Sequence, residues 1–419
     1  MTEPVAAIRA QIDRQVAHWS LAASRLALDD LASPESWSKL EQYLDVSLRR
    51  HLQAVIDRVR AAADVLNSMN RAARTPAELA EVRRRLLWFR AQYLRAETTL
   101  DYFADAIATR TSAESAALLR ACDSLAYRAM AQILDQLGQP TPPVLTYIDK
   151  GLGASILKAG LRLWDAGDAS PVAAIKITRH NILRLTAVIH EAGHQVAHIA
   201  GWNHELSAAL AQALSPASHG LGQAWGGWAS EIAADAIAFA HTGFASVAAL
   251  HDVLAGQKSA VFRFTPGDPH PICYLRVLLG VEMCRYFYGD GPWDDVARAW
   301  TTMHAPSRAE SHVRDLIDAS ISLLPAVARV TLDTPMRAFR GVPLRALVQP
   351  ERVSPSALAE MATRIGPALF TSTHWLWTES LRILALTGSQ LVTRPHDLRE
   401  ILAVQEQAML RLGGVTKAA

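Results

Sequence analysis

The sequence predicts a mainly α chain with a small sheet, an α+β fold with an N-terminal helical bundle, a central domain and C-terminal helices. Three observations carry this reading. Apolar residues recur at helical spacing through most of the 419 residues. Helix-start signals, a Ser or Thr followed by Pro, and helix-ending glycines punctuate the chain. Alternating β-branched character is concentrated in one stretch, "PVAAIKITRHNIL" (171–183).

Residues 1–138 are expected to be helical throughout. Ser33-Pro34 and Thr75-Pro76 fit an N-cap followed by Pro at the first helical position, and Thr75 with Glu78 makes a capping box. From Pro34 the residues Trp37, Leu40, Leu44, Leu48, Leu52, Val55, Val59 and Leu66 form one helical stripe. A second helix runs from Pro76 to about Arg110, and Ser112 caps a third that ends near Gly138. Long helices with short joints imply an antiparallel bundle. Such a bundle serves either as a scaffold or as the docking surface for an activating protein partner.

"GQPTPP" (138–143) reads as a linker, so a central domain is expected over 144–345 and a C-terminal helical segment over 346–419. A short strand lies in 171–183, followed by a helix from about Leu185 to Ala200 with Gly201 as its cap. Residues 204–228 mix Ser, Pro, His, Gly and Trp without a clean period and are expected to form a loop. With Gly220, Gly222, Gly226 and Gly227 in it, that loop is expected to be mobile and to gate any nearby cleft. A helix returns over 228–243. Another follows over 268–289, with Pro271 in its first turn and Gly289 at its end.

Composition excludes several classes. The formal net charge is +2, with 42 Lys and Arg against 40 Asp and Glu, so no basic face for nucleic acid is expected. Cys122, Cys273 and Cys284 are scattered and odd in number, which suits reduced thiols rather than a disulfide frame. No secretory signal and no membrane span are expected, and the cytoplasm is the expected location.

The chemistry is concentrated in "IHEAGHQVAHIAG" (189–201). His190 and His194, one helical turn apart, present imidazoles from one face, and both can reach one Zn²⁺. Glu191, rotated by about 100° around the helix, tends to face a metal-held water rather than the metal. A carboxylate there acts as general base. His198, two turns from His190, reads as a core or supporting histidine. A catalytic zinc needs a third protein ligand. His204 and His219 are weak candidates; "SEIAAD" (230–235) is the stronger source. Glu231 would close the zinc site, and Asp235, one turn later, would accept the other N–H of a ligand histidine and fix its tautomer. Their helix is otherwise mostly apolar, and buried carboxylates need partners.

H-E-x-x-H followed by E-x-x-A-D resembles the signature of gluzincin metallopeptidases, in the form carried by the M48 group that includes the HtpX endopeptidases. "KITRHNILRLTAVIHEAGH" resembles that group's strand-then-helix approach to the motif, and "EIAADAIAFAHTGFASVAAL" its ligand helix and following turn. "DPHPICYLR" resembles its later H-P-x-x-x-x-R element. The resemblance covers about residues 171–280. It implies a zincin-like catalytic domain with His190, His194 and Glu231 as zinc ligands and Glu191 as base. Asp235 would support the ligands, while His270 and Arg276 would face the substrate carbonyl or brace the site; Tyr274 is a further donor candidate. Arg276 reads equally as a salt bridge that locks the ligand helix. ATP-dependent membrane proteases of the FtsH type also carry "HEAGH", but no Walker A sequence is present here. The expectation is a soluble zinc peptidase acting on polypeptide substrates, with an extended substrate pairing along the strand at Ala173–Thr178. The rival expectation is a helical interaction module whose zinc site is structural or residual.

Overall fold

The structure is a computed structural model that describes residues 3–151, 154–157 and 170–415. It is mainly helical with one three-stranded sheet, as the sequence leads one to expect. The chain divides into two compact units, one of Met1–Thr111 with Leu157–Ala174 and the other of Ser112–Ile156 with Ile175–Lys417.

In the first unit, helices Glu3–Ser24, Leu48–Ala72 and Pro76–Ala108 pack on one another. Their core includes Ile12, Val16, Val59, Leu66, Leu86 and Phe89. Thr75 and Glu78 form the expected capping box, and Ser33 Oγ accepts from the Ser36 N–H at 3.2 Å. The stripe that begins at Trp37 is buried as expected, but it belongs to two helices, Pro34–Leu44 and Leu48–Ala72. The break falls at Asp45, which adopts φ 54°, a left-handed conformation that Asp tolerates better than most residues. Burial continues across the break, from Trp37, Leu40 and Leu44 to Leu48, Leu52 and Val55.

The bundle expected over 1–138 ends earlier than its helices do. Helix Ala113–Leu134 belongs to the second unit, where it packs against both the helix of the His motif and the last helix, Leu398–Val415. Its small and apolar residues, among them Ala121, Leu125, Ala126, Ala129 and Ile133, are buried on several sides. The residues after 346 likewise share this core rather than standing apart, through Ile383, Leu384, Met409 and Leu412.

The sheet contains β1 (Val144–Ile148), β2 (Ser155–Leu157) and β3 (Ala173–Ile177) in the order β1-β3-β2. The expected strand at Ala173–Thr178 is therefore the central one. Its hydrogen-bonding edges are used by β1 and β2, so an extended substrate cannot pair along it, and that expectation is corrected.

Residues 204–228 are not a loop. They form helices Trp202–Leu214 and His219–Gly227, which pack closely on each other. A Cβ on Gly222 would stand 2.7 Å from the Ala211 carbonyl oxygen, and one on Gly226 3.0 Å from that of Ser207. The glycines are contact points at i and i+4 against small residues spaced the same way. Trp202, Trp225 and Trp228 are fully buried around them. This replaces the expected glycine-rich gate with a packed helix pair.

The helix of the His motif spans Thr186–Ile199 and ends at Gly201, φ 70°. The ligand helix spans Ala229–Thr242, and these two make the most extensive helix pair in the unit. Gly193 makes this possible: a Cβ there would stand 3.0 Å from both Cα and O of Ala234. Gly193→Ala is expected to force the helices apart and cost about 1–3 kcal/mol, the usual range for overpacking. A lower melting temperature should follow. Gly227→Ala, with nothing within 4 Å of the added carbon, is the matched control and should leave it unchanged.

Candidate metal centre

The site lies wholly in the second unit, at the contact between the motif helix and the ligand helix. His190, His194 and Glu231 each offer a donor atom, and the three atoms lie within 4.8 Å of one another. Glu231 Oε1 is 3.2 Å from His194 Nε2, and Glu231 Oε2 is 3.5 Å from His190 Nε2. Ligands at the usual zinc distances stand roughly 3.3 Å apart around a tetrahedron, so these three residues are close enough to hold one metal ion. No fourth His, Cys, Asp or Glu joins the cluster among the described residues.

Both rings turn Nε2 toward Glu231 and Nδ1 away from it. His190 Nδ1 lies 2.9 Å from Asp235 Oδ1, and His194 Nδ1 lies 3.4 Å from Ser230 Oγ. A carboxylate on Nδ1 holds the proton there and leaves the Nε2 lone pair free for a metal, the support expected of Asp235.

Arg276 is the brace. It is buried and donates from Nε to Asp235 Oδ2 at 2.6 Å and from Nη2 to Asp235 Oδ1 at 2.8 Å. Its Nη2 also lies 3.0 Å from Glu231 Oε2. It thus orients both carboxylates from behind the donors, which is the locking role and not the substrate-facing one. Arg276 comes from helix Cys273–Tyr288. That helix begins two residues after Pro271, so Pro271 precedes the first turn expected to contain it.

His270 lies at the exposed side of the cluster, with 56% of its side chain exposed and Nε2 3.6 Å from Glu231 Oε1. One oxygen of Asp268 meets both its Nδ1, at 2.7 Å, and its backbone N–H, at 3.0 Å. Tyr274 is in the core, stacked on Trp300, and offers nothing to the site. His198 and His204 are exposed, so neither is a core ligand; the side chain of His219 lies outside the described residues. Sequence reasoning missed Ser230, Asp268 and Gly193. The D-x-H spacing before Pro271 was the available signal for Asp268.

Electrostatics agree with a cation at this point. Glu191, Glu231 and Asp235 lie around the Arg276 guanidinium and the His190 imidazole, so carboxylates outnumber the cations in the cluster. Burial raises the Glu191 carboxyl above its ordinary range, against the pull of His190 and His194. Burial acts the same way on Glu231, but His190, His194 and Arg276 outweigh it and hold that carboxyl well below its ordinary range. Asp235 is likewise held low, Arg276 and His190 overcoming burial. For His190, burial opposes the charged form, yet Asp235 and Glu231 push the imidazole up to about 10 in the metal-free protein. His190 therefore stabilises the metal-free fold fully below its ordinary 6.5, and this contribution is lost as pH rises through about 10. A metal ion bound at His190 Nε2 would have to displace that proton. Zinc binding at neutral pH is expected to release it, giving a calorimetric heat that varies with the buffer's ionisation enthalpy and an affinity that falls in acid. A buffer-independent heat would contradict this.

Comparison with protein-family models, with curated proteins and with solved structures finds no match to this chain.

Proposed function

We propose that the protein is a zinc-dependent peptidase, with His190, His194 and Glu231 holding the metal and Glu191 acting as general base. The observation that carries this reading is a convergent three-donor set, with no fourth protein donor among the described residues and a buried carboxylate next to the first ligand. A structural zinc site closes with four protein ligands and has no use for that carboxylate. The choice of the peptide bond as target rests on the resemblance of "HEAGH" and "EIAAD" to the gluzincin signature.

Zinc bound to these three donors would supply Lewis acidity, lowering the pKa of water and polarising the scissile carbonyl. The chain's own residues would do the rest. Glu191 takes the proton of the attacking water and returns it to the leaving amine. Asp235 would keep His190 in the tautomer protonated on Nδ1, with the Nε2 lone pair turned to the metal. Arg276 fixes Asp235 and Glu231 in place. His270, at the open side and tethered by Asp268, is the donor available to an oxyanion. The full chain loaded with zinc should cleave an unfolded casein-type protein, stop with a chelator and recover on adding one equivalent of zinc. Zinc-loaded protein that cleaves no unfolded protein or peptide library would overturn the proposal.

A further inference from the structure

The second unit contains another polar cavity, of about 380 Å³, at the end of the ligand helix remote from Glu231. That volume falls in the range of small-molecule sites, roughly 300–1,000 Å³. The charges on its wall do not pair off. Arg352 and Arg382 both address Glu379, at 3.9 and 3.2 Å, and Arg382 also donates to the Arg352 and Ala357 carbonyls. Asp135 is exposed and meets Thr141 Oγ1 at 3.4 Å.

Arg128 makes no ion pair of its own, although the Glu379 carboxylate shared by Arg352 and Arg382 lies near enough to attract its charge. Its Nη2 donates to the Thr378 carbonyl at 3.3 Å, and its guanidinium lies 4.9 Å from the centre of the Trp377 ring. Its Nε is buried with no hydrogen-bond partner, and no carboxylate lies at ion-pair distance among the described residues. A half-buried guanidinium has given up hydration that one long carbonyl bond and an aromatic face restore only in part. His241 lines the same wall. Burial pushes its imidazole down to about 4, although it bonds the Ala129 backbone, so it brings no compensating or competing charge at neutral pH.

We propose that this cavity binds a small molecule through an oxyanion, a carboxylate or a phosphate, with Arg128 as its principal partner. The inference is independent of the metal centre. It is tested by calorimetric titration of the full chain with inorganic phosphate and, separately, with succinate, against chloride at equal ionic strength. Saturable one-site binding of either anion is expected, and binding of only one identifies which oxyanion the cavity takes. Arg128→Gln should weaken that binding by about tenfold or more, while Arg128→Lys retains most of it. The melting temperature of Arg128→Gln without anion should fall little, because the variant also relieves the desolvation of a half-buried cation that forms no ion pair; a purely structural arginine would lower it clearly. No saturable binding of either anion at millimolar concentration, or equal binding in Arg128→Gln, would overturn the proposal.

Discussion

Glu191→Gln is expected to lose hydrolysis by about a hundredfold or more, the usual scale for a missing general base, while retaining fold and zinc. The amide has the shape of the carboxylate and cannot take a proton. Glu191 is not among the converging donors, so zinc content should stay at one equivalent. Its carboxyl is buried and pushed up by that burial, so a neutral amide should not lower the melting temperature. Three readouts on the same variant separate the roles: turnover falls, zinc stays, stability stays. Undiminished turnover would remove Glu191 from the mechanism. Loss of zinc together with turnover would make it a ligand instead.

Arg276→Met is expected to be the most destabilising single change in the site, by about 3–5 kcal/mol, because it leaves buried carboxylates without their cation. Asp235 loses both of its guanidinium bonds and Glu231 loses a partner at 3.0 Å. The effect has a pH signature. Asp235 is held below its ordinary range, so its contribution is present above the unfolded value, about 3.9, and is lost as pH falls through the lower folded value. In Arg276→Met that depression shrinks, and acid unfolding should begin at higher pH than in the wild type. Arg276→Met combined with Asp235→Asn should cost less than the sum of the two, since each leaves the other's partner unsatisfied. Additive losses, or acid unfolding unchanged from wild type, would show that Arg276 does not brace the ligand helix.

The residues of the site were legible where local geometry decides. His190 and His194 are one turn apart on a helix whose limits are set by a terminal glycine, and Glu231 and Asp235 are one turn apart on another. Ser33, Thr75 and Ser112 cap the helices that their spacing announced. What required the fold was long-range. Gly222 and Gly226 looked like flexibility, because glycine in sequence does not say whether its missing Cβ admits motion or a neighbouring helix; the contacts at Ala211 and Ser207 show the second. The strand Ala173–Ile177 was visible from its alternation, but alternation does not report how many neighbours a strand has. Helix Ala113–Leu134 was visible from its cap, but its membership of the unit that holds the His-His-Glu cluster depends on packing with residues after 180 and near 410. The double reading of Arg276 was resolved only by its burial behind Asp235.

The central claim, a zinc held by three protein donors with an open fourth position, is tested most directly by anomalous diffraction at the zinc edge from crystals of the zinc-loaded full chain. One zinc is expected, bound by His190 Nε2, His194 Nε2 and a Glu231 oxygen at about 2.0–2.2 Å, with solvent as the fourth ligand and Asp235 on His190 Nδ1. A zinc closed by a fourth protein ligand such as His270, a zinc bound by Asp235 in place of Glu231, or no zinc at these residues would contradict it.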